Sequence, residues 1–405
     1  MPLKLNRNDI IFGFVSMLNE ISSEMILPLL PFFLVTVLGM SKGRVGIVEG
    51  VAGATASFFL GFSGYLSDRL NRRKDFVVLG YSLSVITKPL FALASSGYQA
   101  VFLRFFDRVG KGFREAPRDA LIAAGQNQRH RGRAFGFNRT LDTIGGTLGA
   151  LFVFWWFWNH PEGYRTIFWF SFFPGIIAIF LLIFFVKEHR QKKSVNESEE
   201  PRRHFSWKKL GKHCKLFYIV TTIFALANVS YSFFLLKAET VGISRQFSPL
   251  LYMIYNLVQA LLFVPIGRWT DHKGRKLSLL LGYFLFSLTA LSFSLSVDGI
   301  TWVLFALYGA SVALTDGVSR AFLSDLVHPD VRATALGIYY GLNGAALFIS
   351  SVTFGYLWDK FGQNLPFIVS SIIAALAGMI FIIFIIRHRK CHHFGEAAPH
   401  VPACQ

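Results

Sequence analysis

Stretches of about 20 apolar residues recur along nearly the whole chain, each long enough to cross the hydrocarbon of a bilayer as a helix. No water is available there to the backbone N–H and C=O groups, so a crossing segment must satisfy them within its own helix or within a closed barrel. The runs predict twelve helical spans near 9–38, 45–64, 76–95, 98–122, 134–157, 166–186, 216–237, 247–266, 277–297, 300–324, 333–357 and 364–386. Of 405 residues 53% are hydrophobic and 16% charged, and the runs leave no room for a soluble catalytic domain. The predicted fold class is an all-α membrane protein. The first apolar segment is interrupted by Asn19 and Glu20 and runs to about Leu38 without a small-residue cleavage site, so it reads as a retained span. Cys214, Cys391 and Cys404 lie in or beside hydrophilic segments and suggest no disulfide framework.

A net charge of +18 would point to nucleic acid in a soluble protein, but here its distribution decides. With the N-terminus in the cytosol, segments outside the spans on that side hold 27 Lys and Arg. The other side holds six: Lys42, Arg44, Arg165, Lys237, Arg245 and Lys360. That asymmetry puts both termini in the cytosol and the spans in an inner (plasma) membrane, and it accounts for the charge without a nucleic-acid partner. A polar linker at 187–215 separates a six-span half at 1–186 from another at 216–386, and a cytosolic tail follows at 387–405.

The halves echo each other. "GYLSDRLNRRK" at Gly64–Lys74 and "GRWTDHKGRK" at Gly267–Lys276 both follow the second span of their half. Each places Asp (Asp68, Asp271) four residues after glycine and basic residues four and five after Asp. "GRAFGFNRTLD" (Gly132–Asp142) likewise pairs with "RATALGIYYGLN" (Arg332–Asn343), so that Asp142 matches Asn343. The offsets are 203 and 201 residues. Internal repeats of this kind build transporters with a midplane site between the halves.

On these residues the chain resembles the major facilitator superfamily over nearly its whole length. The first loop has Asn71 where that family has glycine, a residue that also tolerates left-handed backbone angles. The resemblance implies two pseudo-symmetric six-helix bundles and a gate at the cytosolic mouth. There Asp68 would meet the start of span 11, around Val331 to Ala335, with Arg114 or Arg118 of span 4 nearby. A carboxylate at a helix start accepts free N–H groups and favours the positive dipole end, and Gly64 permits close helix contact. Gly267, Asp271 and Arg275 form the second copy. Arg72, Arg73 and Lys74 also serve to fix topology.

"RFFDRVGKGFREAPRDA" in span 4 carries eight charges, Arg104, Asp107, Arg108, Lys111, Arg114, Glu115, Arg118 and Asp119. On an ideal helix they fall within an arc of about 140°. A charge facing lipid costs at least ~2.5 kcal/mol, so the arc should face water or protein. Arg104, Asp107, Arg108 and Lys111 are deep enough to line a cavity, while the other four approach the mouth. Gly110, Gly112 and Pro117 predict a kink or tight packing. The spacing Arg104, Asp107, Gly110 resembles the span-4 motif of proton-driven antiporters, in which the arginine serves proton coupling; here Arg108 replaces a glycine. "GKGFREAPRDALIA" resembles a group of bacterial permeases that carries no substrate assignment. A static ion network is the structural alternative.

Glu20 and Glu24 stand one helical turn apart in span 1 with Asn19 and Ser23 on the same side. A buried carboxyl holds its proton more readily than one in water, and loading on one side with release on the other is what coupling requires. Pairing with an arginine of span 4 or 5 is the static alternative. Arg139 and Asp142 of span 5 are expected to neutralise each other. "GGTLGA" from Gly145 resembles the span-5 motif of antiporters without its proline. The second half offers Asn228, Asn256, Gln259, Asp316, Arg320 and Asn343, with Asp316 and Arg320 as a possible pair, so its wall is expected to be apolar or amide. His388, Cys391, His392 and His393 lack regular ligand spacing, and no metal or cofactor is expected.

These features predict a monomeric secondary transporter, not an enzyme, in which protons drive a small anionic or zwitterionic organic solute by alternating access. No nucleotide-binding loop is present, and no nucleophile–base set suggests catalysis. The span-4 motif leans to efflux. The alternatives are proton-coupled uptake of a metabolite anion or metal chelate, and a non-transporting receptor or scaffold, which would not need opposed buried acids and bases.

Overall fold

A computed structural model of the chain describes residues 6–70, 72–124, 131–186, 212–295, 298–327 and 331–395; the side chains of 65, 68, 131–133, 212, 272, 273, 298, 333 and 387–395 lie outside the description. Among the described residues all regular structure is helical. The first half comprises span 1 (Arg7–Glu24, Leu30–Phe32 and Phe33–Val37), span 2 (Lys42–Leu70), span 3 (Arg73–Leu93), span 4 (Gly97–Ala124), span 5 (Arg131–Asn159) and span 6 (Tyr164–Phe170 and Phe172–Phe185). The second comprises span 7 (Lys212–Ala227 and Tyr231–Thr240), span 8 (Ser248–Lys273), span 9 (Arg275–Ser294), span 10 (Asp298–Leu326), span 11 (Arg332–Phe361) and span 12 (Leu365–Gly395). Ten spans are long and apolar enough by themselves to cross a bilayer; spans 1 and 4, which carry the acids and the charged stripe, are the exceptions. Several helices outrun the apolar segments that predict them, because the i to i−4 bonding continues into polar residues beyond the hydrocarbon.

The breaks follow from local chemistry. Pro28 and Pro31 have no N–H to offer the carbonyls of Glu24 and Leu27, so the first helix of span 1 stops at Glu24 and gives way to a turn and a five-residue π-helix. Span 7 breaks at 228–230, where the Ser230 hydroxyl accepts the Ser232 N–H and starts a second helix. Glu24 and Ala227, the last residues before each break, are 203 positions apart, the offset already seen between Asp68 and Asp271. Both halves therefore interrupt the same helix at the same place.

Span 4 lies between spans 2 and 3, and span 1 packs on spans 5 and 6. The halves meet mainly through span 2 on span 11 and span 5 on span 8, two contacts that exchange under the repeat. All eight stripe residues of span 4 are buried or half-buried, as the arc requires. Its helix runs unbroken through Pro117, so the glycines serve packing. A β-carbon on Gly110 would lie 2.6 Å from the Gly80 carbonyl oxygen. Ser84 Oγ donates to the Asp107 carbonyl (3.0 Å) and Ser63 Oγ to the Gly112 carbonyl (2.7 Å), fixing the helix to both neighbours. Large apolar side chains such as Trp155, Phe184, Leu288 and Ile383 stand exposed around the outside and form the lipid-facing belt.

Gly110→Val should therefore destabilise the protein by ~1–3 kcal/mol through overpacking. The thermal unfolding midpoint in lipid nanodiscs reads this, with Gly136→Ala, which enters open space within a helix, as the control that is not destabilised.

Candidate transport site

At the centre of the first half Arg104 is 2% exposed and sits between two carboxylates, Glu49 of span 2 (3.4 Å) and Asp107 (3.2 Å). Arg108 Nε is also 3.4 Å from Asp107 but makes no hydrogen bond with it. Glu49, 5% exposed, accepts a 2.9 Å bond from Ser230 Oγ at the break of span 7. An ionic chain thus runs from span 4 through span 2 to the other half. Burying such charges costs several kcal/mol each unless pairing and hydrogen bonds offset it, and here they do. Glu49 was not singled out from the sequence. Its signal is a lone acid in the apolar run "VGIVEGVAGA", and intramembrane ionisable residues are rarely idle.

Lys88 of span 3, 3% exposed, is a second such residue. Its Nζ donates to Ser22 Oγ (2.6 Å) and Ser23 Oγ (3.3 Å), and among the described residues no carboxylate lies within ion-pair distance. It borders a chamber of about 50 Å³ with Glu20, Asp107, Arg108, Lys111 and Arg114.

Glu24, 6% exposed, accepts a 3.5 Å bond from Asn256 Nδ2 of the second half. Glu20 and Glu24 form no ion pair among the described residues, so the static pairing with span-4 or span-5 arginine is not made. They line a chamber of about 240 Å³ with Lys111, Arg139, Asp142 and Tyr252. Lys111 pairs with Glu115 at 3.5 Å. The expected pairing of Arg139 with Asp142 is corrected: the Arg139 guanidinium lies 5.5 Å from the Phe263 ring centre across the interface, and Asp142 accepts from Asn138 (3.4 Å). Attraction to a ring face draws the long arginine over to span 8. Asn19 and Asn343 are within their spans, each with a buried Oδ1 that has no hydrogen-bond partner.

A further chamber of about 220 Å³ lies between the halves, lined by Glu49, Arg104, Arg108, Asn228, Tyr231 and Tyr308 among others. The second-half wall is richer in aromatics than the sequence suggested. The rings of Tyr231 and Tyr252 are 4.5 Å apart, Tyr252 and Tyr255 5.7 Å, and Tyr255 and Tyr308 4.7 Å. These residues come from three spans, so no run or period announces them.

The face that carries the described chain ends opens into a cavity of about 1360 Å³, lined by Gly64, Arg118, Gln259, Asp316, Arg320 and Tyr340 among others. Asp316 and Arg320 pair at 2.8 Å as expected. The gate implied by the loop signature turns on Asp68, and the described residues around it leave this face open. A β-carbon on Gly64 would meet only the Ala116 β-carbon, at 3.4 Å, and one on Gly267 would meet open space. The Asp68 side chain lies outside the described residues, as does the tail group His388, Cys391, His392 and His393. Arg114 is buried within the first half, donating to Ser84 Oγ (2.8 Å) and covering the Tyr81 ring, while Arg118 holds Asp119 (3.0 Å). Arg72 is exposed at the start of span 3, and Arg73 follows as its first residue. Lys74 caps span 6 through the Ile183 and Val186 carbonyls. Arg275 ties span 9 to Asp325 of span 10 and lies 3.7 Å from Asp271, all inside the second half.

The opposite face is sealed. Asp359, near the end of span 11, accepts the first N–H groups of span 2, from Lys42 (2.9 Å) and Gly43 (2.7 Å). Phe247 packs against Phe154 and Trp158 of span 5 and Trp302 of span 10.

Two bundles with interrupted first helices around a chamber open to one side are the architecture of a membrane transporter. The Major Facilitator Superfamily model matches residues 12–237 and 217–403, and the chain belongs to that family. It is 34% identical over 386 residues to an uncharacterised MFS-type transporter of Methanocaldococcus jannaschii, covering 94% of this chain and 95% of that one. It is 23% identical to the cis,cis-muconate transport protein of Acinetobacter baylyi, covering 86% and 88% of the two chains. The solved nucleoside transporter NupG superposes with a TM-score of 0.76 at 15% identity, over 94% of this chain and 99% of that one.

Glu49→Gln leaves Arg104 short of a carboxylate and should cost ~3–5 kcal/mol. This appears as a lower unfolding midpoint, partly recovered by adding Arg104→Gln. A midpoint equal to the parent's would mean the pair carries no structural weight.

Proposed function

We propose that the protein carries a small organic anion together with protons across the inner membrane by alternating access, and that the conformation described is open to the cytosol. Three features support this. The Lys and Arg asymmetry assigns the cytosol to the face on which the large cavity opens. The first half gathers bases (Lys88, Arg139 and the five of span 4) and acids (Glu20, Glu24, Glu49, Asp142 and the three of span 4) around one interior, so an anion entering it meets several cations. A relative named for muconate transport is consistent with an anionic solute.

The observation that carries the reading is Glu24, buried at the interface between halves with no ion-pair partner among the described residues and a hydrogen bond from Asn256 of the other half. A carboxyl group so placed exchanges its surroundings whenever the halves rock, which is the condition for loading a proton on one side and releasing it on the other. Glu20, Arg104 and Asp107 surround the same route, and Arg108 and Lys111 receive the solute. Proton and anion moving together, as in uptake, is the first reading. Export by exchange is the second reading, favoured by the spacing of Arg104, Asp107 and Gly110. The protein acts as a monomer in this scheme, since the cavity is built from one chain.

In proteoliposomes with an imposed pH gradient, the parent should accumulate substrate from a screen of organic acids, and Glu24→Gln should abolish gradient-driven accumulation while retaining exchange of solute for solute. Transport by the parent that ignores the gradient would remove proton coupling. The sign of the gradient that drives accumulation decides between uptake and export.

A further inference from the structure

The chamber between spans 2, 4, 7 and 10 has an imbalance of hydrogen bonds. Three of its lining groups, Arg104 Nε, Arg108 Nε and Tyr231 Oη, are buried without a hydrogen-bond partner. A buried donor without an acceptor is costly to keep, and one protein seldom retains several around one space without a use for them. The carboxylates present already receive other donors, Glu49 from Ser230 and Arg104 and Asp107 from Arg104, and Asp107 stands 3.4 Å from Arg108 Nε without a hydrogen bond. Two of the three unpartnered donors are guanidinium N–H groups, which bind carboxylate oxygens more strongly than neutral acceptors.

Its other wall is of a different kind. Tyr231 and Tyr308 border it, and their rings continue the row through Tyr252 and Tyr255 towards the chamber that holds Glu24. Several of these rings stack on one another, and such an aromatic wall rewards a flat π-system, which can meet ring edges or extend the stack, over a flexible chain of equal size. We infer that the Arg104, Arg108 and Tyr231 donors form a carboxylate site, and that its ligand is an acid with a flat, conjugated body laid along the tyrosine row. This rests on the anion reading above and narrows it to a chemical class and a place. In that class the carboxylate oxygens satisfy all three donors, and the body reaches across the interface, so binding draws both halves onto one molecule.

The test uses the full-length protein in lipid nanodiscs and three probes of six carbons: sorbate, which is conjugated and charged, hexanoate, which is charged and flexible, and sorbamide, which is conjugated and neutral. Calorimetric titration should show sorbate binding, hexanoate about tenfold weaker or more, and sorbamide below detection. Tyr231→Phe removes one donor and keeps the ring, so it should weaken sorbate and hexanoate by similar factors. Tyr252→Leu removes a ring face and should bring sorbate down towards hexanoate. Unfolding midpoints without ligand identify any variant that fails to fold, and Arg108→Gln provides a second donor deletion. Sorbamide binding as tightly as sorbate, unchanged sorbate affinity in both donor variants, or no binding of any probe would overturn the inference. Selective sorbate binding without proton-linked flux would uphold the site and remove the coupling reading instead.

Discussion

Everything in the interior depends on Arg104 being held between Glu49 and Asp107. Span 4 carries too much charge to face lipid, and its stripe is tolerated because neighbouring helices supply opposite charge and hydroxyl groups at matching depth. Glycine contacts of span 4 bring those partners within reach: a side chain at Gly80 or Gly110 would push spans 3 and 4 apart, and one at Gly112 would meet Phe59 and Leu60 of span 2. Packing and electrostatics are thus one constraint: close backbone approach permits the pairing, and the pairing permits a charged helix inside a membrane protein.

The second organising feature is the matched interruption of spans 1 and 7. Prolines end the first helix of span 1 at a carboxylate, and a serine restarts span 7 beside Glu49. Interrupted helices leave backbone and side-chain polar groups at mid-depth, where an unbroken apolar helix offers none. The repeat places both breaks at the interface, and the sequence of each half then differs in what it presents there. The first half supplies charge and the second supplies tyrosine rings and amides.

Much of this was legible beforehand. The twelve spans follow from apolar runs, the repeat from two short loops, and the buried stripe of span 4 from its angular arc. The pair Asp316 and Arg320 was readable because both residues lie one turn apart on one helix. What could not be read depends on register between helices. Glu49 and Lys88 each stand alone in an apolar run, with partners on other spans that no local spacing reveals. Arg139 has a plausible partner three residues away and still reaches across to Phe263. The tyrosine row is assembled from spans 7, 8 and 10, so it exists only after folding. The state of the two faces is likewise a property of packing, which no loop signature specifies.

Asp359 gives the sealed face a particular character. Its carboxylate occupies the start of span 2, where two amide hydrogens have no carbonyl of their own helix to bond. Parting spans 2 and 11 at that end strips those hydrogens of their acceptor, and only solvent can replace it at no great loss. Separation and hydration of that vestibule are consequently a single event, so a dry intermediate, parted but still empty of water, is disfavoured by the backbone itself.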